Sequence, residues 1–418
     1  MSFLEDCLGQ IKATTNNVKV AIIGGGAAGF FSAFSVKNHH TGAQIVMFEK
    51  TAKLLSKVKV SGGGRCNVTH DCQNNRQMSA NYPRGAKFMR RALEQFNVGD
   101  TIEWFAQCGV ELKTEEDGRM FPTTNSSQTI IDCFLSQAEN QGIQIRMSCP
   151  VKSLKQDGEQ LVLVTDKGEE RFDRLFVAKG GSPKYSGFEW LEKLGHVISR
   201  PVPSLFTFNI PKDPITNLMG VAVPNAVVRV VSTKHAYQGP LLITHWGLSG
   251  PAVLKTSAFA ALDLAACDYQ FECSVNWLGT MKEHELRVLL ETQIPSLLKR
   301  KVYNRNPLNL PARLWEFLLQ KVELSEERTW GELGSKQLNR LVNVLTNDAY
   351  SVRGKTTFKE EFVTAGGVSL KSIHHSTLES KSVPGLYFAG EVLNIDGVTG
   401  GFNFQAAWTT GYIAGRLN

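Results

Sequence analysis

The stretch Val18-Lys19-Val20-Ala21-Ile22-Ile23-Gly24-Gly25-Gly26-Ala27-Ala28-Gly29 decides how the rest of this chain reads. Val18 to Ile23 has the pattern of a short buried strand, and Gly24, Gly26 and Gly29 follow at G-x-G-x-x-G spacing. Gly24 permits a tight turn out of the strand, Gly26 lets backbone approach a pyrophosphate, and Gly29 lets a helix pack close to the strand. That helix is expected from Ala27 to about Lys37, and its N-terminus offers free N–H groups and a positive dipole end. A second strand, Gln44 to Phe48, ends at Glu49, about 20 residues past the last glycine, where a carboxylate accepts from ribose hydroxyls. Strand, glycines, helix, strand and acid in this order predict a dinucleotide site; the competing reading is a glycine turn used only for packing.

Composition bounds the rest. The chain has 418 residues, 42% hydrophobic and 20% charged, which fits two or three globular domains. Its net charge of +7 is mild over this length, and no Lys/Arg block marks a nucleic-acid tail. The 8 cysteines include no C-x-x-C pair and no metal-site spacing, so they read as reduced thiols of a cytoplasmic protein. The first 17 residues carry Glu5 and Asp6 and read as a loosely held leader rather than a signal peptide. Val20 to Val36 is uncharged but bracketed too tightly by Lys19 and Lys37 for a membrane span.

Further along, Ser61-Gly62-Gly63-Gly64-Arg65-Cys66-Asn67 puts three glycines in a row, which lets backbone come close to something flat or charged. Arg65 is a candidate for phosphate and Asn67 for a ring edge. Cys66 is a candidate catalytic nucleophile or charge donor, weighed against a small buried hydrophobe. Phe88 to Cys108 has helical periodicity, and Ser127 to Gln141 reads as an amphipathic helix. An apolar strand from Arg171 to Ala178 ends in Gly180-Gly181, which suits backbone passing over a cofactor. From Pro201 the texture becomes short β-rich runs, suggesting a small sheet or barrel. Within it, His245 in Thr244-His245-Trp246-Gly247-Leu248-Ser249-Gly250-Pro251 is a candidate proton donor, weighed against a structural histidine. Lys282 to Asn347 is helical and charged. Extended structure returns from Phe358, and a strand from Val383 ends in Gly390-Glu391. Gly400-Gly401-Phe402-Asn403 then opens a last helix, whose Ala407, Gly411 and Ala414 suit close packing against the sheet. Its N-terminal N–H groups would point at whatever lies over the strand end and, if that is a flavin, would stabilise the negative charge of the reduced ring.

These motifs resemble the FAD-dependent oxidoreductases of the two-dinucleotide-binding-domain flavoprotein group, and within it the YhiN/BaiN-type flavoproteins. The resemblance covers nearly the whole chain and is most specific at Ser61 to Asn67, Thr244 to Pro251 and Gly385 to Gln405. It implies an α/β fold: a Rossmann-like, glutathione-reductase-type FAD domain from residues 1–200 and 350–418. An insert would span 201–349, β-rich over 201–280 and helical over 281–349. It implies FAD contacts at Gly24, Gly26, Ala27, Ala28, Gly29, Glu49, Lys50, Gly62, Gly63, Arg65, Cys66, Asn67, Val151, Gly180, Gly390, Glu391, Gly401, Phe402 and Asn403.

The expected function is therefore hydride transfer through flavin N5, with NAD(P)H reducing a small organic substrate held between flavin and insert. No second G-x-G-x-x-G is present, so NAD(P)H is expected as a transient reductant. An amine oxidase that returns electrons to oxygen is the alternative. Other readings are an RNA-binding flavoprotein, against which the insert lacks aromatic–basic interleaving, and a non-catalytic flavin sensor.

Overall fold

A computed structural model of the protein describes residues 17–356 and 363–417. The leader (but for Asn17) and the onset of extended structure at Phe358 lie outside the described residues. The chain divides into two compact units, Met1–Pro201 with Val363–Asn418, and Val202–Phe362. The second boundary falls later than residue 350. Strand Asp348–Arg353 pairs antiparallel with Gln270–Asn276 (Cys273 opposite Tyr350), which places it in the insert's sheet.

The first unit is built on five parallel strands: β1 (Lys19–Ile23), β2 (Gln44–Phe48), β3 (Gln144–Arg146), β4 (Arg174–Val177) and β5 (Leu386–Phe388). Their order is β5-β4-β1-β2-β3. Parallel strands covered on both faces read as continuous apolar runs, and Val20 to Ile23 are all buried. The helices used below are α1 (Ala27–His39), α2 (Asn75–Ser79), α3 (Ala86–Ala92) and α4 (Phe402–Gly415).

α1 is buried without interruption from Ala28 to Val36, and α4 is buried almost throughout. The two helices touch backbone to backbone. A Cβ on Gly411 would stand 3.0 Å from the Ala28 carbonyl oxygen, and one on Gly415 would stand 2.4 Å from Ser35 Cβ. Gly411 therefore serves the approach to α1, not packing on the sheet as the sequence suggested. An aromatic cluster of Phe31, Phe34, Trp104, Phe105, Phe134 and Trp408 fills the space beside them. The helical run expected from Phe88 to Cys108 is two helices, Ala86–Ala92 and Val98–Gln107, and Asn97 starts the second. The Asn97 side chain accepts from the Gly99 and Asp100 N–H groups, and the Asp100 carboxylate accepts the Asn97 N–H at 2.6 Å.

The second unit holds a seven-stranded sheet in which every pairing is antiparallel. Its two end strands, Asp348–Arg353 and Lys355–Thr356, are joined through Gly354, so the sheet curls back on itself. Helices Glu283–Leu297, Ala312–Lys321 and Ser335–Thr346 add Leu286, Leu290, Trp315, Leu318 and Leu341 to the same core.

Candidate cofactor site

The first-unit residues named from sequence gather where the parallel strands end. Gly24 leaves β1 at φ 116°, and a Cβ there would stand 2.5 Å from the Ala178 carbonyl oxygen at the end of β4. Its N–H donates to the Phe48 carbonyl at 2.8 Å, which pins the turn to β2. A Cβ on Gly29 would stand 2.0 Å from the Gly24 carbonyl oxygen, so α1 presses on the turn. Gly26 differs: it begins α1, and a Cβ there would meet nothing within 4 Å. No side chain caps this helix end, and no acid stands in its first turn, which leaves its N–H groups and dipole suited to an anion.

Glu49 follows β2 and is held in place. Its Oε2 accepts the Gly25 N–H at 3.0 Å, and its Oε1 accepts the Thr51 N–H and hydroxyl, both at 2.8 Å. Oε2, with one donor, keeps a second lone pair for a further hydrogen bond. The Cys149 N–H donates to the Glu49 carbonyl at 2.8 Å, which brings the segment leading to Val151 beside it. Lys50 is exposed.

The Gly62–Gly64 loop breaks the helix Ser56–Gly64, and Gly62, Gly63 and Gly64 are all left-handed. Gly62 packs on the Phe121 ring, whereas Gly63 and Gly64 face open space. Arg65 has other employment than phosphate: its Nη1 pairs with Glu115 Oε1 at 2.5 Å and its guanidinium lies 3.9 Å from the Phe121 ring centre. Cys66 is fully buried at φ 62°, and burial pushes its thiol up to about 12, against a weaker lowering by the Ser61 side chain. A thiol so protonated is no nucleophile near neutral pH, and the catalytic role considered for Cys66 does not suit its surroundings. Asn67 is buried next to it.

At the end of β4, Gly180 is left-handed and open, while Gly181 is crowded by Glu391 and Thr364. After β5, Gly390 lies on α1: a Cβ there would stand 2.7 Å from the Ala28 Cβ. Glu391 accepts from Lys57 Nζ at 2.6 Å and from the Thr364 N–H at 2.9 Å. Gly401 begins α4, again without a capping side chain, at φ 94° and pressed against Thr69. The Phe402 ring stacks on His70, and the Asn403 amide exchanges two hydrogen bonds with the Gly397 backbone, at 2.8 and 2.9 Å. His245 belongs to the second unit, where it is exposed on the turn between Ala236–Thr244 and Gly247–Ser249.

Three residues escaped the sequence reading. Lys57 partners Glu391. Lys179, directly before Gly180, donates to the Gly187 carbonyl and lies 4.7 Å from the Phe188 ring centre. Burial, helped by the nearby Lys50 charge, lowers its ammonium to about 8. Its position before Gly-Gly at a strand end was the signal that could have found it. Thr364 is 1% exposed, and its Oγ1 has no hydrogen-bond partner among the described residues.

FAD fits these residues on grounds independent of the motif. Gly26, Gly63, Gly64 and Gly180 keep clear the space their missing side chains would fill. Two helix N-termini lack side-chain caps, and a buried hydroxyl beside Gly181 and Glu391 has no partner among the described residues. No helix among the described residues is long and apolar enough to cross a membrane.

Comparison with known proteins bears on the family and the fold. The family model described as HI0933-like protein Rossmann domain matches residues 18–417. A 3-dehydro-bile acid delta(4,6)-reductase from Clostridium scindens is 27% identical over 95% of this chain and 98% of its own. A ribosomal RNA dihydrouridine synthase from Escherichia coli is 29% identical over 94% of this chain and 95% of its own. Among solved structures, the 3-ketosteroid delta1-dehydrogenase from Sterolibacterium denitrificans aligns over 96% of this chain and 99% of its own, with TM-score 0.50 and 12% identity, a likeness of fold.

Proposed function

Since the chain belongs to the HI0933-like family and is an FAD-dependent oxidoreductase, we propose that it reduces a carbon–carbon double bond conjugated to a carbonyl group, with NAD(P)H as electron donor. The observation that carries this reading is the chemistry shared by two relatives that match over nearly the full chain. A delta(4,6)-reductase of a 3-dehydro bile acid and a synthase of dihydrouridine each saturate a C=C bond in conjugation with C=O. The overall change balances as NAD(P)H plus a proton plus the C=C bond giving NAD(P)+ and a CH–CH unit. Hydride adds to the carbon remote from the carbonyl, and a proton adds to the carbon beside it.

FAD, when bound, supplies a two-electron carrier that accepts and donates hydride at N5. Residues of the first unit would hold and orient it. The α1 N-terminus and Gly26 suit its phosphates, and Glu49, fixed by Gly25 and Thr51, suits a ribose. The uncapped α4 N-terminus, fastened by the Asn403–Gly397 bonds, offers a positive dipole end. The Cys66 thiol keeps its proton.

The test is an anaerobic titration of the flavoprotein with NADPH, then with a uridine-containing RNA or a steroid 4,6-dien-3-one. Bleaching of the flavin and a product heavier by two hydrogens are expected. A flavin that NADPH leaves oxidised, but that turns over with oxygen and a small amine, would replace the reductase reading by an amine oxidase.

A further inference from the structure

The α2–α3 corner of the first unit carries charge that its surroundings leave unneutralised. From residue 74 to residue 96 the basic residues are Arg76, Arg84, Lys87, Arg90 and Arg91, and the only acid is Glu94. Arg84 is largely buried against Asp396, but the other four cations are exposed. Lys87, Arg90 and Arg91 stand at i, i+3 and i+4 of α3 and so share one face, while Phe88, Met89 and Ala92 face the core. The ion pairs among the described residues use other cations. Residues 370–381 extend the patch: the His375 ring meets Phe88 edge-on at 5.5 Å, and Lys371, His374, His375 and Lys381 are exposed.

This corner is fastened to the loop that leads into α4. Arg84 grips Asp396, the Val398 N–H donates to the Asn81 carbonyl at 2.9 Å, and the Tyr82 hydroxyl donates to the Phe402 carbonyl at 2.7 Å. The patch is thus carried on a corner tied directly to the segment that opens α4 at Gly401 and Phe402.

We infer that the exposed face of Arg76, Lys87, Arg90, Arg91 and Lys371 binds the phosphate backbone of RNA. Resting on the reductase reading above, this makes a uracil in that RNA the ring whose double bond is reduced. The charge pattern favours RNA over a free dienone. Several separate cations match a chain of phosphates, whereas a steroid acid offers one carboxylate and leaves most of them idle. A solvated helix surface is the competing account, and it requires no ligand dependence on these residues.

The experiment compares the flavoprotein with its Lys87→Glu/Arg90→Glu/Arg91→Glu variant. Affinity for protein-free ribosomal RNA is measured by fluorescence anisotropy across a salt series, and product mass is measured for RNA and for a steroid 4,6-dien-3-one. We expect the variant to keep its flavin and to bind RNA at least about tenfold more weakly. The slope of log affinity against log salt should be shallower by about 2, since each lost phosphate contact to a single strand removes about 0.7. Glu94→Lys, which adds charge to the same face, should tighten binding. Equal RNA affinity and salt slope in wild type and triple variant would overturn the assignment of this face, as would a wild type that reduces the dienone and does not bind RNA. The reductase reading fails separately, if neither substrate gains two hydrogens, whatever the binding shows.

Discussion

Arg84 and Asp396 are 312 residues apart in sequence, yet their side chains meet fork to fork, with Arg84 Nε 2.6 Å from Asp396 Oδ1 and Nη2 on Oδ2. The Asp396 side chain is fully buried. Replacing Arg84 by Met would take the guanidinium away from that buried carboxylate, at a cost of about 3–5 kcal/mol. Arg84→Lys should recover only part of it, since an ammonium cannot present two coplanar donors. Urea unfolding midpoints measure both, and an unchanged midpoint for Arg84→Met would refute the importance given to the pair.

Gly26 and Gly29 stand three residues apart and should fail differently. Gly26→Ala adds a methyl group that touches no protein atom within 4 Å, so the chain should fold normally and lose FAD affinity. Gly29→Ala places its methyl 2.0 Å from the Gly24 carbonyl oxygen and should cost stability before anything else. Flavin retention after dialysis, set beside thermal melting, separates the two. A Gly26→Ala protein that keeps full flavin content would remove Gly26 from the cofactor cradle.

Lys179 gives a pH signature. Its ammonium titrates near 10.5 when unfolded and at about 8 in the fold, because burial disfavours the charge. Between those values the unfolded chain binds more protons, so this residue's contribution to stability is present above the unfolded value and is lost as pH falls through about 8. The melting temperature of wild type relative to Lys179→Met should therefore rise between pH 7 and pH 9.5. A constant difference would show that the lysine is not held as described.

Cys66 should resist alkylation in the native protein at pH 8, since burial both shields the thiol and holds it protonated. Cys108, whose thiol is lowered by a hydrogen bond with Cys133, should label far faster. Peptide mapping after iodoacetamide reads both. Cys66→Ser should keep FAD and any turnover, and loss of turnover with flavin retained would restore Cys66 as a catalytic candidate.

The motifs that were legible in the sequence are those whose parts are neighbours. β1, its three spaced glycines, α1, β2 and Glu49 form one unbroken segment, and the structure gives Ala27–His39 and Gln44–Phe48 close to where the pattern put them. What escaped depends on distant partners. Arg65 looked free for phosphate because Glu115 lies 50 residues away. The insert boundary looked like 350 because nothing local tells that Asp348–Arg353 pairs with Gln270–Asn276. Gly411 was assigned to the sheet because periodicity reports a close-packed face, not what lies against it. Thr364 carries no pattern at all: only the fold makes its hydroxyl a buried atom without a partner among the described residues.

The first unit is written in two instalments, and β5 and α4 belong to the second. During synthesis β4 waits without its neighbour, and α1 without its cover, while the whole second unit leaves the ribosome, a delay on the order of ten seconds or more at ordinary elongation rates. The second unit draws its strands and helices from one continuous segment and can collapse within that interval. Lys57 meets Glu391, and α4 closes over α1, only after translation of the last segment. Flavin capture is thus a late event in the life of each molecule, and chains broken off early would emerge colourless with an apolar helix uncovered.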